Sequence, residues 1–540
     1  MEMDDARRIR RRELLGSSGG FFAALTLAAC ARSTPTAPSS TTVAAATTAP
    51  AANTAPVATT KPAAASGRSQ LVVAQTADMV TLDPPMYRAR QTQNIHQMLY
   101  DTLVHRTDDL KDQGRLAESW EVVDETTFKF KMRANARFHD GSPVTARDVK
   151  FSYDRTLDPA LKAPRAGLLD NVASTDAPDD ATVIVKTKTP DPLTLTFLNY
   201  HAITPMAAVS ANLDAFLQKP IGAGPFMFQE WKKDERVVLS ANPNYWDGAP
   251  LVQTLIFRPI PDPSAMVAEL ESGGIDIAAE VPPAAFAGLK ANPNLQALTA
   301  PSTTVHYVGL NTRKPPLDNV NVRQALNMAI DKTAIINSVL VGLAVPVNGP
   351  LFPESRGYDP SLKGYAFDVS AAKAMLKDAG AEAEFSMQLD TTAATKEAAE
   401  AVAGQLKQVG VTANVNVMEL GVLTTKINSG ECDMYFNTWG DSAADGGVTF
   451  YRHFHSSQRQ TFKDTWYSKP ELDKLIDDAR FTFDFEKRRQ LLMQALKSIV
   501  DDAPWLFLWQ PNTLAAARAS VKGFTPRADG YMFLNKVAPA

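Results

Sequence analysis

The run Phe436 to Ser456, FNTWGDSAADGGVTFYRHFHS, gathers the chain's most chemically capable side chains into one loop. Trp439 offers a flat apolar face on which a solute can lie, and Asp441 and Asp445 offer anionic acceptors. Asn437 stands two residues before the tryptophan, and Ser442 adds a hydroxyl. A carboxylate beside an aromatic face can orient a polar or cationic group through a charge-assisted hydrogen bond. Ser442 would be a nucleophile only with a base at hand, and no histidine follows His455 in the chain. His453 and His455 could ligate a metal, but no third ligand is evident near them in the sequence. Turn formation and helix capping are the competing roles for both aspartates.

Two further stretches carry reactive residue types. LDPPMYRARQ supplies Tyr87 and Arg90 as candidate ligand contacts, with exposed surface as the alternative. FHDGSPVTARDVKFSYDR opens on His139-Asp140-Gly141, yet it holds no nucleophile or metal-ligand partner for the histidine. Asp140-Gly141 reads as a turn, and Ser142-Pro143 keeps the chain extended. Thr145 followed by Asp148 forms a capping box that starts a helix. This stretch therefore reads as scaffold. GAGPF, from Gly222 to Phe226, lacks the Lys-Ser/Thr ending of a phosphate loop, and Cys432 reads as a small buried hydrophobe.

The elements that must position these residues are mixed. TTFKFKMR alternates Phe128, Phe130 and Met132 against Lys129, Lys131 and Arg133, as half of a hairpin, and TVIVKTK repeats the pattern. NIHQMLYDTLV has helical spacing at Ile95, Leu99 and Leu103. From His306 onward helices and strands alternate. Val402, Leu406 and Val409 mark one helix face before Gly410, and Val411, Ala413, Val415 and Val417 mark the strand after it. That rhythm predicts an α/β lobe preceded by a region richer in hairpins. A length of 540 residues exceeds what one core usually organises, so more than one lobe is expected. Hydrophobic residues make up 45% and charged residues 21%, and the formal charge is −4, with no basic stripe to suggest a nucleic-acid partner.

The first 30 residues read as an export signal. Arg7, Arg8, Arg10, Arg11 and Arg12 precede a short Gly- and Ala-rich apolar run that ends at Leu27-Ala28-Ala29-Cys30. Arg11-Arg12-Glu13-Leu14-Leu15 resembles a twin-arginine signal, and the run ending at Cys30 resembles a lipobox. These similarities imply export and a lipidated Cys30 that anchors the protein to a membrane. Residues 31–68, almost wholly Ala, Thr, Pro and Ser, read as a disordered tether.

The scaffold stretch also begins a family resemblance. FHDGSPVTARDVKFSYDR resembles the signature segment of the family 5 bacterial solute-binding proteins, the receptors of peptide-type ABC importers. LAESWEVVDETTFKFKMR precedes it, and KPIGAGPFMFQEWKKDERVVLSANPNYWDGAP, VHYVGLNTRKPPLDNVNVRQALNMAIDK and YAFDVSAAKAMLKDAG follow in the family's order. Together they span nearly all of the chain from about Gln70. The resemblance implies an α/β, two-lobed periplasmic-binding-protein fold of type II, with mixed sheets flanked by helices and a ligand cleft between lobes. It implies a first lobe over 69–305 with an inserted subdomain, a second over 306–504, and a return to the first over 505–540. It also implies a non-enzymatic monomer without cofactor or bound metal, taking peptides or peptide-like solutes to permease subunits in the membrane. Nickel chelates, oligosaccharides and opines are alternative solutes.

In the family's dipeptide binders the aspartate of the tryptophan loop pairs with the ligand's α-ammonium. Aligned without a gap that position falls on Ser442, and on Asp441 if the loop slides by one residue. Those binders also carry an arginine for the ligand carboxylate where DTTAATKE has Lys396. A different-class alternative comes from Gly440-Asp441-Ser442, which resembles the start of the serine motif of a hydrolase superfamily.

Overall fold

The computed structural model describes residues 70–540 apart from 382–383, 461–465 and 540; the expected export signal, Cys30 and the tether lie outside the described residues. The hydrophobic alternation read from the sequence builds a mixed sheet in two halves. In one half Gln70–Gln75 lies between Ile277–Ala278 and Thr254–Pro259, parallel to both, and Arg236–Ala241 and Phe226–Lys232 extend it antiparallel. In the other half the order is Val411–Val417, Phe385–Thr391, Met434–Gly440, Thr304–Leu310. Helices cover these strands, and each half encloses its own apolar core.

One long strand, Trp505–Arg518, joins the halves. Its first residues pair with Thr304–Leu310, Trp509 opposite His306, and its last pair with Leu295–Pro301, Arg518 opposite Leu295. The chain thus crosses between halves twice, at Pro301–Thr304 and near Gln510–Asn512. The two crossings are bonded to each other: Ser302 N donates to Pro511 O at 3.2 Å, and the Gln510 side chain donates to Ser302 O at 2.6 Å. The crossover falls five residues beyond Trp505, because the apolar run Trp505–Trp509 is buried within the second half.

A separate four-stranded antiparallel sheet is inserted after the first strand, in the order Ala117–Asp124, Thr127–Met132, Thr182–Thr187, Val172–Asp176. Phe128, Phe130 and Met132 point into its core while Lys129 and Lys131 face solvent, as the alternation requires. The helix Ala146–Leu157 packs on it. Asp148 accepts from Thr145 N at 2.9 Å and from the Thr145 hydroxyl at 2.7 Å, and its other oxygen accepts from Met206 N at 2.9 Å. His139 is a clamp: Nε2 is bonded to Gly224 O at 3.0 Å and Nδ1 accepts from Gly222 N at 3.1 Å. Burial lowers its pKa and keeps the ring neutral, which leaves Nδ1 free to accept. Gly222 and Gly224 are glycines because any Cβ there would strike the backbone at Leu99, to which Gly224 N donates. The stretch that opens with a histidine is structural.

One helix is shorter than its spacing suggests. It runs Arg90–Leu99, and Leu103 lies beyond its end. Tyr100 turns extended so that its phenol can donate to Leu82 O. Asp101, fully buried next to it, accepts from Trp246 Nε1 at 2.6 Å and pairs with Arg115. Such tertiary bonds outweigh helix periodicity. The helix Lys396–Lys407 buries Val402 and Leu406, and Gly410 follows it in the left-handed region at φ +88°. In the next strand only Val411 is fully buried, and Val417 is exposed, because Val411–Val417 is the edge of the sheet.

Candidate functional site

A cavity of about 740 Å³ opens between the second half and the inserted subdomain. That volume lies within the roughly 300–1,000 Å³ typical of small-solute sites. The strand Met434–Gly440 delivers Trp439 to its wall, followed by Gly440, Asp441 and Ser442. The helix Gly446–Phe454 adds Tyr451 and Arg452, and the helix Pro470–Phe481 adds Arg480. The facing wall comes from Arg88, Arg165, Asp191, Phe197, Tyr200 and Tyr531.

The acidic loop is organised from within. Asp441 is 2% exposed; it accepts from Ala443 N, Asp445 N and the Thr449 hydroxyl, each at 3.0 Å. Burial raises its pKa to about 6, against the pull of those donors. Its own N–H donates to Thr303 O at 2.8 Å, tying the loop to the first chain crossing. Asp445 is fully buried; it caps the helix Gly446–Phe454 through Gly447 N and takes both terminal nitrogens of Arg488 at 2.7 Å. Capping and turn formation, the competing roles for these two residues, are therefore the ones seen. Asp445 does not reach the cavity.

Trp439 is half-buried. Its indole N–H donates to the Thr449 hydroxyl at 2.9 Å, its ring meets His453 edge-on at 4.5 Å, and Arg452 lies 4.7 Å from its ring centre. Ser442 connects the walls: its carbonyl accepts from Arg106 at 2.6 Å, and it lines the cavity with Tyr200 of the facing wall. Asn437 bonds its own neighbour, Thr438 N, at 2.8 Å and does not line the cavity.

The loop after the first strand reaches the cavity through a different residue from the two expected. Tyr87 is buried behind the wall, donating to Gln93 at 2.6 Å with Arg165 stacked 4.1 Å from its ring. Arg90 is exposed and pairs with Glu280 at 2.9 Å, while Arg88 between them lines the cavity. Lys396 pairs with Glu400 at 3.7 Å and also lies off the wall. His455 is bonded to Ser457 and Asp477, and among the described residues no cluster of three metal-ligating side chains occurs. Arg165, Tyr200, Arg480 and Tyr531 were not singled out from the sequence. They lie far apart in the chain and share no spacing that would mark them.

Comparison with known proteins agrees with this architecture. Residues 113–461 match the family described as bacterial extracellular solute-binding proteins, family 5 middle. The glutathione-binding protein GsiB of Escherichia coli is 29% identical over 489 residues, covering 87% of this chain and 94% of that protein. HbpA2 from Haemophilus parasuis superposes with a TM-score of 0.80 at 25% identity, over 87% of this chain and all of that one. The oligopeptide-binding protein AppA from Bacillus subtilis, in complex with a nonapeptide, gives a TM-score of 0.72 at 28% identity, covering 88% of this chain and 99% of that one. A two-lobed frame of helices over mixed sheets is shared with these structures, and this chain belongs to the bacterial extracellular solute-binding proteins of family 5.

Proposed function

We propose that the chain is the extracytoplasmic receptor of an ABC importer, closing two lobes over a peptide or peptide-like solute and passing it unaltered to a membrane permease. The observation that carries this reading is the cavity walled from both sides of a double chain crossing. A solute touching both walls favours the closed arrangement by its differential contacts, and two adjacent crossings provide the hinge. Holding a solute at micromolar affinity takes about 8 kcal/mol of net binding, within reach of aromatic faces and a few polar anchors. GsiB, named for glutathione, and AppA, bound to a nonapeptide, support a peptide-like solute.

The rival reading, hydrolysis at Ser442, lacks support in the geometry: the bond seen at this residue runs from Arg106 to its backbone carbonyl, and an arginine is no general base at neutral pH. Mass spectrometry separates the two. A solute eluted from the protein should have the mass it had when added, and accumulation of a cleavage product would favour the enzyme.

Anchoring through Cys30 completes the reading. A lipid on that thiol and the Ala/Thr/Pro-rich run after it would hold the receptor near its permease. Cys30→Ser should move the protein from the membrane pellet to the soluble fraction, and a variant that still pellets would contradict lipidation.

A further inference from the structure

The charges around the cavity are unevenly satisfied. Five arginines line it, Arg88, Arg165, Arg452, Arg480 and Arg488, against three aspartates, Asp170, Asp191 and Asp441. The carboxylates away from solvent each hold at least one backbone donor. Asp441 holds three internal donors, and one oxygen of Asp191 accepts from Leu193 N at 2.9 Å while its charge is attracted by Arg480 and Arg488 across the cavity. Asp170 sits at the exposed rim. Asp445, behind the wall, is consumed by Arg488.

The arginines are satisfied differently. Arg165 is 3% exposed, and its Nε, Nη1 and Nη2 donate to Tyr87 O at 3.0 Å, Tyr200 O at 2.5 Å and the Gln93 side-chain oxygen at 2.5 Å. All three acceptors are neutral. Among the described residues no carboxylate lies within 4.0 Å of Arg165 or of Arg88, whose Nε donates to Pro164 O at 2.6 Å. On the opposite wall Arg480 stacks 3.5 Å from the Tyr451 ring centre, with its nearest carboxylate, Asp477, at 3.8 Å. A guanidinium has five N–H donors, so these groups keep donors to spend on a ligand.

We infer that the cleft selects anionic solutes, with carboxylates of a peptide-like ligand held between Arg88 and Arg165 on one wall and Arg480 on the other. This rests on the receptor reading above and names its ligand class. Arg165, desolvated and bonded to neutral acceptors, gains most from an anion; the exposed Arg88, and Arg480 already 3.8 Å from Asp477, add charge on either side of it. The same arrangement couples charge to motion. Closing the lobes brings Arg88 and Arg165 towards Arg480; Asp191, attracted by Arg480 and Arg488, offsets part of that repulsion, and an anion between the arginines offsets more, so the anion favours the closed state. The ligand's ammonium, in contrast, finds the carboxylates of the tryptophan loop already occupied.

The test uses the full-length protein, stripped of solute, and an equimolar mixture of random tripeptides in free and N-acetylated forms. Peptides retained after rapid gel filtration are identified by mass spectrometry. Those containing Asp or Glu should be enriched about tenfold over their Asn or Gln counterparts, with acetylation making less than a threefold difference. In the Arg88→Gln/Arg480→Gln double variant, whose substituted side chains are not part of either core, the enrichment should fall below threefold. Retention without acidic enrichment, enrichment that survives the double variant, or loss of retention on acetylation would each overturn the inference and leave the receptor standing. Retention of no peptide at all would overturn both.

Discussion

Arg488→Met should destabilise the second half of the molecule by about 3 kcal/mol, the low end of the usual cost of breaking a buried ion pair, because Arg356 stays 3.8 Å from Asp445. Asp445 is fully buried and Arg488 5% exposed, and the two share a bidentate pair at 2.7 Å. Arg488 also donates through Nε to Ala479 O at 3.0 Å, which fixes the end of the helix that carries Arg480. Removing the guanidinium leaves the buried carboxylate its backbone donor, Gly447 N, and only the longer contact with Arg356 at 3.8 Å. Asp445→Ser/Arg488→Met removes both charges and retains an oxygen for Gly447 N, so it should recover more than half of the loss. Denaturant unfolding followed by tryptophan fluorescence measures both variants. A single substitution costing less than 1 kcal/mol would mean that the pair does not hold the loop.

Trp439→Ala should weaken binding of the solute extracted from the native protein by more than tenfold, about 1.4 kcal/mol or more. The ring is half-buried at the cavity wall, held by Thr449, His453 and Arg452, and so is pre-positioned before a solute arrives. Thr449 keeps its bond to Asp441 when the indole is gone, so thermal stability should fall by only a few degrees. Trp439→Phe should retain most of the affinity through its remaining aromatic face. Isothermal calorimetry showing unchanged affinity for the alanine variant would take Trp439 out of the site.

The two predictions separate what the sequence reveals from what it hides. The loop from Phe436 to Ser456 was legible because a tryptophan, two aspartates and a serine sit within a few residues at the end of an apolar strand. Its internal economy was not. Nothing in the spacing says that Asp445 would bond an arginine 43 residues later, or that Asp441 would fold back on its own loop. The facing wall was less legible still. Arg88, Arg165 and Tyr531 are neighbours only after the inserted sheet and the chain's tail have packed, so local pattern marks none of them. In LDPPMYRARQ the residue order does not reveal that the turn sends Tyr87 inward, Arg90 to Glu280 and Arg88 to the cavity. Fold-level features fared better because they depend on repeated local signals. The Phe128–Phe130–Met132 alternation and the glycine after Lys396–Lys407 each act within a few residues. The helix that stopped at Leu99 shows the limit, where buried bonds from Tyr100 and Asp101 outvoted the periodicity.

The central claim is that two lobes close around a solute. Small-angle X-ray scattering on the ligand-stripped protein, before and after restoring the solute extracted from it, tests that claim most directly. The radius of gyration should fall when the solute is bound and return when it is removed. An identical scattering profile in both states, with binding verified by calorimetry on the same samples, would contradict closure as the mechanism.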